Sequence, residues 1–184
     1  MKRMVFCCWF AASVFWANTL LGQTADPSKE NSTKQDVKEK DEEITAKVTK
    51  VVDGDSIKVR SADGKEYEVQ LEGTDAPEIK QEHGKESSDA LKKMLFDSDV
   101  RVTWKKKDNF DRPLAQVYKG ETHVNAEMIR TGNAWHFKRY NQSKALADLE
   151  IEAKKEKLGL WKAESPVAPW DYRKENRTPD KPDR

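Results

Sequence analysis

Two carboxylates stand on one short loop whose backbone the sequence stiffens. Residues 71–78 read Leu-Glu-Gly-Thr-Asp-Ala-Pro-Glu and follow an alternating apolar segment that predicts a strand. Gly73 permits a turn that bulkier residues resist, while Pro77 fixes its own φ angle and favours an extended residue before it. Asp75 and Glu78 are thereby held at the end of a strand, where they suit a site better than a core.

A second acidic turn, Asp53-Gly54-Asp55, lies between two apolar segments. Asp-Gly is a strong hairpin signal, so these aspartates are also explained as turn formers. If the flanking strands pair, Asp55 and Asp75 can face one another, and two such carboxylates repel unless a hard cation lies between them. An EF-hand loop is excluded, because with Asp53 at position one the twelfth position is Gly64, where a ligand oxygen is required.

A third segment, 108–118, carries a single arginine directly before a strand pattern. The guanidinium of Arg112 can bind a phosphate with two parallel hydrogen bonds. A structural ion pair with Asp108 or Asp111 is the alternative role.

In this order the motifs resemble the staphylococcal nuclease (thermonuclease) family. Any one motif is weak, but their common order is a strong signal, and the resemblance covers residues 44–172. The matching segments are Asp-Gly-Asp-Ser at 53–56, Leu-x-Gly-x-Asp-Ala-Pro-Glu at 71–78, Arg-x-Leu-Ala-x-Val-Tyr at 112–118, and shorter matches at 124–125, 132–135, 159–161 and 169–170.

The resemblance implies a site with a role for each matched residue. A calcium ion would be held by the carboxylates of Asp55 and Asp75 and by the backbone carbonyl of Ala76. Glu78 would orient or deprotonate the attacking water, and Arg112 would contact the scissile phosphate. Hard oxygen ligands also favour calcium over zinc on chemical grounds.

One position departs from the family pattern. Gln70 stands where the family's active enzymes carry a second arginine, and strand alternation predicts that it points away from the core. Glutamine can donate a hydrogen bond but cannot supply positive charge to the transition state. Lys58 or Arg60 on the neighbouring strand could compensate for this loss.

Four further residues are candidates for contact with nucleic acid. Lys105 and Lys106 form either a phosphate-binding patch or simply a solvated strand end. Phe110 and Tyr140 match positions where the family has aromatic rings near the terminal nucleotide, and either could stack on a base.

The element pattern predicts an α+β fold: a five-stranded OB-type β-barrel with about three helices, which the resemblance also implies. The predicted strands are 44–52, 56–60, 66–71, 100–106 and 114–118, and the predicted helices are 85–96, 124–131 and 143–157.

The two ends of the chain differ in composition from its centre. Residues 1–22 combine a basic start, an apolar run and a small residue at Gly22, which predicts a signal peptide; an uncleaved membrane anchor is the alternative. Residues 23–43 and 173–184 are polar and charged, and we expect a disordered linker and tail on either side of the 44–172 domain.

The function expected from these residues is that of an exported calcium-dependent nuclease acting on DNA and RNA. It would be secreted or periplasmic, monomeric, and without stable membrane association once the signal is cleaved. The alternative, which Gln70 favours, is a weak or inactive nucleic-acid-binding module on the same barrel. Retention of the acidic residues and of Arg112 favours the enzyme.

Overall fold

The computed structural model describes residues 41–177. Long strands alternate buried and exposed side chains, as a sheet with one core face requires. In chain order the strands are β1 (Glu42–Val51), β2 (Ser56–Ser61), β3 (Glu66–Leu71), β4 (Thr74–Asp75), β5 (Asp99–Lys107), β6 (Pro113–Lys119), β7 (Thr122–His123) and β8 (Trp135–His136).

The five long strands close into a barrel. Antiparallel pairing joins them in the order β3-β2-β1-β5-β6. The barrel is closed by parallel pairing of β3 with β6, through Gln70–Leu114 and Leu71–Ala115. Closure pairs the edge strands with each other, as in OB-type barrels. The predicted α+β fold with a five-stranded OB-type barrel is therefore confirmed.

Helices cover the barrel and complete the fold. The three predicted helices are present, and a fourth short helix follows a 3₁₀ turn near the end of the domain. Pro169 stands in the first turn of this fourth helix, where its missing N–H costs nothing. The helices are α1 (Gly84–Leu95), α2 (Val124–Arg130), α3 (Lys144–Lys155) and α4 (Pro169–Glu175), and the 3₁₀ turn spans Gly159–Lys162.

Apolar side chains from every face of the barrel fill one core. Ile57 and Val59 of β2 and Val69 of β3 are fully buried there, together with Leu91 and Leu95 of α1. A smaller cluster of Ala153, Leu160 and Trp161 joins α3 to the 3₁₀ turn. Burial of these residues stabilises the barrel and fixes α3 beside it.

The first strand and the last helix extend slightly past residues 44 and 172. β1 begins at Glu42, because its first residues extend the pairing with β5. α4 runs to Glu175, past the predicted boundary at Tyr172, and its Arg173 forms an ion pair with Asp75 of β4. The predicted signal peptide, most of the linker and the last seven residues lie outside the described part. No helix within 41–177 has the length and apolar character needed to cross a membrane.

A buried glutamate ties α3 to the short strand β8. Glu150 is 1% exposed and accepts the backbone N–H of His136 at 3.1 Å. Burial alone would raise its pKa, but hydrogen bonds from Lys138 and Lys154 lower the pKa overall. Because β8 pairs with β4, this contact helps to fix the strand that carries Asp75.

Candidate active site

Asp55 lies where the two acidic turns meet. Its N–H donates to Oδ1 of Asp53 at 3.2 Å, and its carbonyl accepts the N–H of Leu71 at 2.8 Å. Its side-chain Oδ2 accepts the N–H of Ala76 at 2.8 Å. Ala76 thus offers its N–H to Asp55, and the role of its carbonyl as a ligand stays a prediction.

The glycine between the two aspartates is required by close packing. A Cβ atom at Gly54 would lie 2.0 Å from Oγ of Ser87 and 2.6 Å from Cβ of Ala76. That hydroxyl is itself held by the carbonyl of Asn133 at 2.6 Å. Only a residue without a side chain lets the first acidic turn lie against the second.

Asp75 is bound by an arginine from the far end of the domain. It belongs to β4 and lies opposite Trp135 of β8. Its buried carboxylate accepts two parallel hydrogen bonds from Arg173 of α4, Nη1 to Oδ1 at 2.9 Å and Nη2 to Oδ2 at 2.7 Å. Both oxygens of Asp75 are therefore bonded to a guanidinium that lies 98 residues away in sequence.

Glu78 shares the same guanidinium. Its Oε1 accepts Nη1 of Arg173 at 3.1 Å. The backbone of Glu78 is fixed by Gln81, whose side-chain oxygen accepts its N–H at 3.1 Å and whose N–H donates to its carbonyl at 2.8 Å. A Cβ at Gly84 would lie 1.8 Å from that carbonyl, so the start of α1 packs directly on this loop.

The two aspartates carry more negative charge than their surroundings compensate. Burial raises the pKa of Asp55 well above its usual range, and the charges of Asp53 and Asp75 raise it further. Burial also raises the pKa of Asp75, and the hydrogen bonds from Arg173 offset only part of that rise. Burial would lower the pKa of Arg173, but its contacts with Asp75 and Glu78 raise it overall.

These oxygen donors fit a hard cation such as calcium. Asp55 and Asp75 offer buried carboxylate oxygens in need of positive charge, and residues 41–177 contain no cysteine. No cluster of three or more His, Cys, Asp or Glu side chains that could hold a metal is found in that range, so backbone or water oxygens would complete the shell. Arg173 competes with any such cation for Asp75.

Gln70 points away from the core, as alternation predicts, but brings no charge. It lies opposite Ser56 across the β2–β3 pair, and its Oε1 accepts the hydroxyl of Ser56 at 2.7 Å. Lys58 and Arg60 pair instead with glutamates on β3, at 3.2 and 2.6 Å. Neither of these cations is ion-paired with Asp55 or the acidic loop.

Arg112 forms its ion pair with Asp108. Of the two partners that the sequence left open, Asp108 and Asp111, Asp108 is therefore the one observed. The Nε of Arg112 donates to Oδ2 of Asp108 at 2.7 Å, Nη2 lies 2.7 Å from the same oxygen, and Nη1 lies 3.6 Å from Glu68. Asp111 pairs with Lys107 instead. The other oxygen of Asp108 accepts the N–H of Arg112 at 3.0 Å, so side chain and backbone are oriented together.

The predicted nucleic-acid contacts fall into two groups. Lys105 pairs with Asp41 at 3.2 Å, and Lys106 is exposed beside it on β5. Phe110 is half-exposed, with the guanidinium of Arg112 5.6 Å from its ring centre. Tyr140 lies on a different surface and is 68% exposed.

Tyr140 belongs to a basic and aromatic groove of about 580 Å³, which we call the α4 groove. Phe137 and Trp170 stack in it at 5.5 Å with nearly parallel planes, and Tyr140 meets Phe137 edge-on at 4.9 Å. Arg173 lines one side and connects the groove to Asp75. The remaining basic lining residues are Lys138, Arg139, Lys154, Lys174 and Arg177.

Sequence reasoning missed Arg173. The sequence shows the matched Pro169–Trp170 pair, and a proline is typical of the start of a helix. Arg173 itself, however, lies in segment 173–184, which its composition predicts to be a disordered tail. Nothing in its local sequence indicated a partner 98 residues away.

Comparison with known proteins gives the family of this chain. A family model described as "Staphylococcal nuclease homologue" matches residues 68–163. An uncharacterized endonuclease of Escherichia coli O157:H7 is 39% identical over 132 residues, which is 71% of this chain and 86% of the relative. The chain belongs to the staphylococcal nuclease family.

Two other relatives of this staphylococcal nuclease family member come from different organisms. An uncharacterized endonuclease of Haemophilus influenzae is 32% identical over 136 residues, covering 74% of this chain and 76% of the relative. A probable staphylococcal-like nuclease of Oryza sativa subsp. japonica is 35% identical over 113 residues, covering 61% of this chain but 30% of the plant protein.

Proposed function

We propose that this member of the staphylococcal nuclease family hydrolyses phosphodiester bonds of DNA and RNA and depends on calcium. The observation that carries the proposal is the hydrogen-bonded junction of the two acidic turns. It brings Asp55 against the stiff loop that holds Asp75 and Glu78, with the loop amide of Ala76 bonded to Asp55 at 2.8 Å. Such a constellation of buried and half-buried carboxylates suits metal-assisted hydrolysis of a phosphodiester.

Asp55 and Asp75 would hold the calcium ion, with the carbonyl of Ala76 as the expected third protein ligand. When bound, the ion supplies positive charge for the phosphoryl oxygens, which gain negative charge during the reaction. Asp53 adds negative charge close to Asp55 and so favours a cation in this place.

Glu78 would accept a proton from the attacking water. It is partly exposed, and its backbone is fixed by Gln81 and α1, so its carboxylate can be presented to a substrate without local rearrangement. Attack in line with the leaving oxygen would expel the 5′ oxygen and leave a 3′-phosphate, as the family resemblance implies.

Arg112 would bind the scissile phosphate. Asp108 orients its guanidinium through one edge and neutralises part of its charge, and the side chain keeps 20% exposure for contact with a ligand. Lys105 and Lys106 would contact backbone phosphates, and Phe110 and Tyr140 would stack on bases.

Export is a separate proposal that rests on residues 1–22. We expect the native protein to begin at or near Gln23, in a secreted or periplasmic location, and to be a monomer. N-terminal sequencing of native protein tests this, because Met1 recovered from a membrane fraction would replace export with anchoring.

Digestion of a defined oligonucleotide tests the function. We expect 5′-labelled single strands of DNA and RNA to be shortened in millimolar calcium to products that end in a 3′-phosphate, and to stay intact with chelator. The competing view, a binding module without catalysis, is favoured by Gln70. It predicts an oligonucleotide that is retarded in a gel but never shortened, and that outcome would reject the enzyme.

A further inference from the structure

The C-terminal helix places an arginine inside the acidic site. We propose that Arg173 is the second phosphate-binding arginine of this enzyme and performs the role that Gln70 cannot. The proposal rests on the function proposed above. It assigns a catalytic contact to α4, which lies outside the barrel motifs.

The position of Arg173 follows from its two partners. Its guanidinium is within hydrogen-bond distance of Asp75, the expected cation ligand, and of Glu78, the expected proton acceptor. A phosphate that is bound beside Asp75 and attacked by water at Glu78 must lie next to this guanidinium. Arg173 is therefore placed where the transition state gains negative charge.

The charge of Arg173 is needed because the site is otherwise strongly acidic. Arg173 forms ion pairs with both Asp75 and Glu78, at 2.7 and 3.1 Å. Arg112 already faces two carboxylates, those of Asp108 and Glu68. A phosphodiester that approached the acidic loop without a further cation would be repelled.

The rest of α4 is built to hold this arginine. Trp170 packs edge-on against Trp135 at 5.5 Å and stacks on Phe137 at 5.5 Å. Just before the helix, the carbonyl of Val167 accepts the side-chain N–H of Gln81 at 2.6 Å, and Gln81 also fixes Glu78. The helix and the acidic loop are thus joined by a common residue.

Arg173 can also change partners. Its side chain is 34% exposed and borders the open α4 groove. A cation that takes the oxygens of Asp75 must displace the guanidinium, which is then released towards a phosphate while it stays within reach of Glu78. Arg173 should therefore oppose cation binding and promote hydrolysis, and a purely structural ion pair would not have these two opposite effects.

Two measurements on the full chain test this assignment. Calorimetric titration with calcium chloride, without nucleic acid, gives the calcium affinity. Single-turnover cleavage of a single-stranded DNA oligonucleotide at saturating calcium gives the rate. The variants are Arg173→Gln, the same change combined with Gln70→Arg, and Arg112→Gln as the reference for loss of one phosphate-binding arginine. Arg130→Gln is the control, because Arg130 binds Glu127 with a similar two-bond contact away from the site.

We expect Arg173→Gln to bind calcium at least threefold more tightly and to cleave about a hundredfold more slowly, a loss similar to that of Arg112→Gln. Adding Gln70→Arg should restore the rate at least tenfold, because it returns a guanidinium to the phosphate from the neighbouring strand. Arg130→Gln should match the wild type in both measurements.

Four results would overturn the assignment. Cleavage by Arg173→Gln at the wild-type rate would make the contact structural, and faster cleavage would make it inhibitory. A slow variant that Gln70→Arg does not improve, with unchanged or weaker calcium binding, would indicate damage to the fold. If the wild type itself does not cleave in calcium, the proposed function fails and the assignment fails with it. An active wild type with an equally active Arg173→Gln rejects the assignment alone.

Discussion

Replacing Glu78 by glutamine is expected to slow phosphodiester hydrolysis by about a thousandfold, within the range for loss of a positioned general base. Glutamine has nearly the same shape, and its side-chain oxygen can still accept the hydrogen bond from Arg173 that Glu78 accepts at 3.1 Å. The loop backbone is held by Gln81 and not by the carboxylate, so the fold should be preserved. The measurement is the single-turnover cleavage rate at saturating calcium.

A neighbouring glutamate provides the control for this change. Glu82 lies four residues further along the same loop and is exposed. Glu82→Gln removes the same charge and should change the rate by less than about threefold, since an exposed charge is well screened. A loss of less than tenfold in Glu78→Gln, with calcium affinity unchanged, would remove Glu78 from the role of proton acceptor.

The barrel could be predicted from the sequence because local signals agree with the overall pattern. The five segments of alternating apolar residues all form strands, and β3 spans the predicted residues 66–71. The Asp-Gly turn at 53–54 lies between β1 and β2 as expected. Each of these features depends on neighbouring residues, which a sequence displays directly.

Ion pairs across the fold could not be predicted in the same way. The sequence left Arg112 with two aspartates as equal candidates. Asp108 is the partner because its side chain turns back to the N–H groups of Phe110 and Arg112, whereas Asp111 has a positive φ of 62° and pairs with Lys107. This choice depends on backbone geometry within one turn.

The sequence shows that Gln70 departs from the family's arginine, but it does not show that Arg173 could take the place of that arginine. Lys58 and Arg60 were the natural candidates because they lie on the neighbouring strand, and both are paired with glutamates of β3. Arg173 instead reaches the site from α4, and its position depends on the packing of Trp170 against Trp135 and Phe137. Packing of a short terminal helix leaves little periodic signal in sequence.

Loss of the Asp55 carboxylate should abolish both calcium binding and hydrolysis. Asp55→Asn keeps an oxygen that can accept the N–H of Ala76, while it removes a buried charge next to Asp53 and Asp75. Without calcium the variant should therefore melt at a higher temperature than the wild type, because a repelling charge has been taken out of the interior. Calcium should stabilise only the wild type, through binding to the folded state.

The most direct test of the account is the cleavage rate of one single-stranded oligonucleotide by wild type and Asp55→Asn, each measured with millimolar calcium and with chelator. We expect the wild type to cleave in calcium and to stop with chelator, and Asp55→Asn to be at least about a hundredfold slower in calcium. Cleavage by the wild type that is unaffected by chelator, or equal rates for the two proteins in calcium, would contradict a calcium-dependent nuclease site built on Asp55.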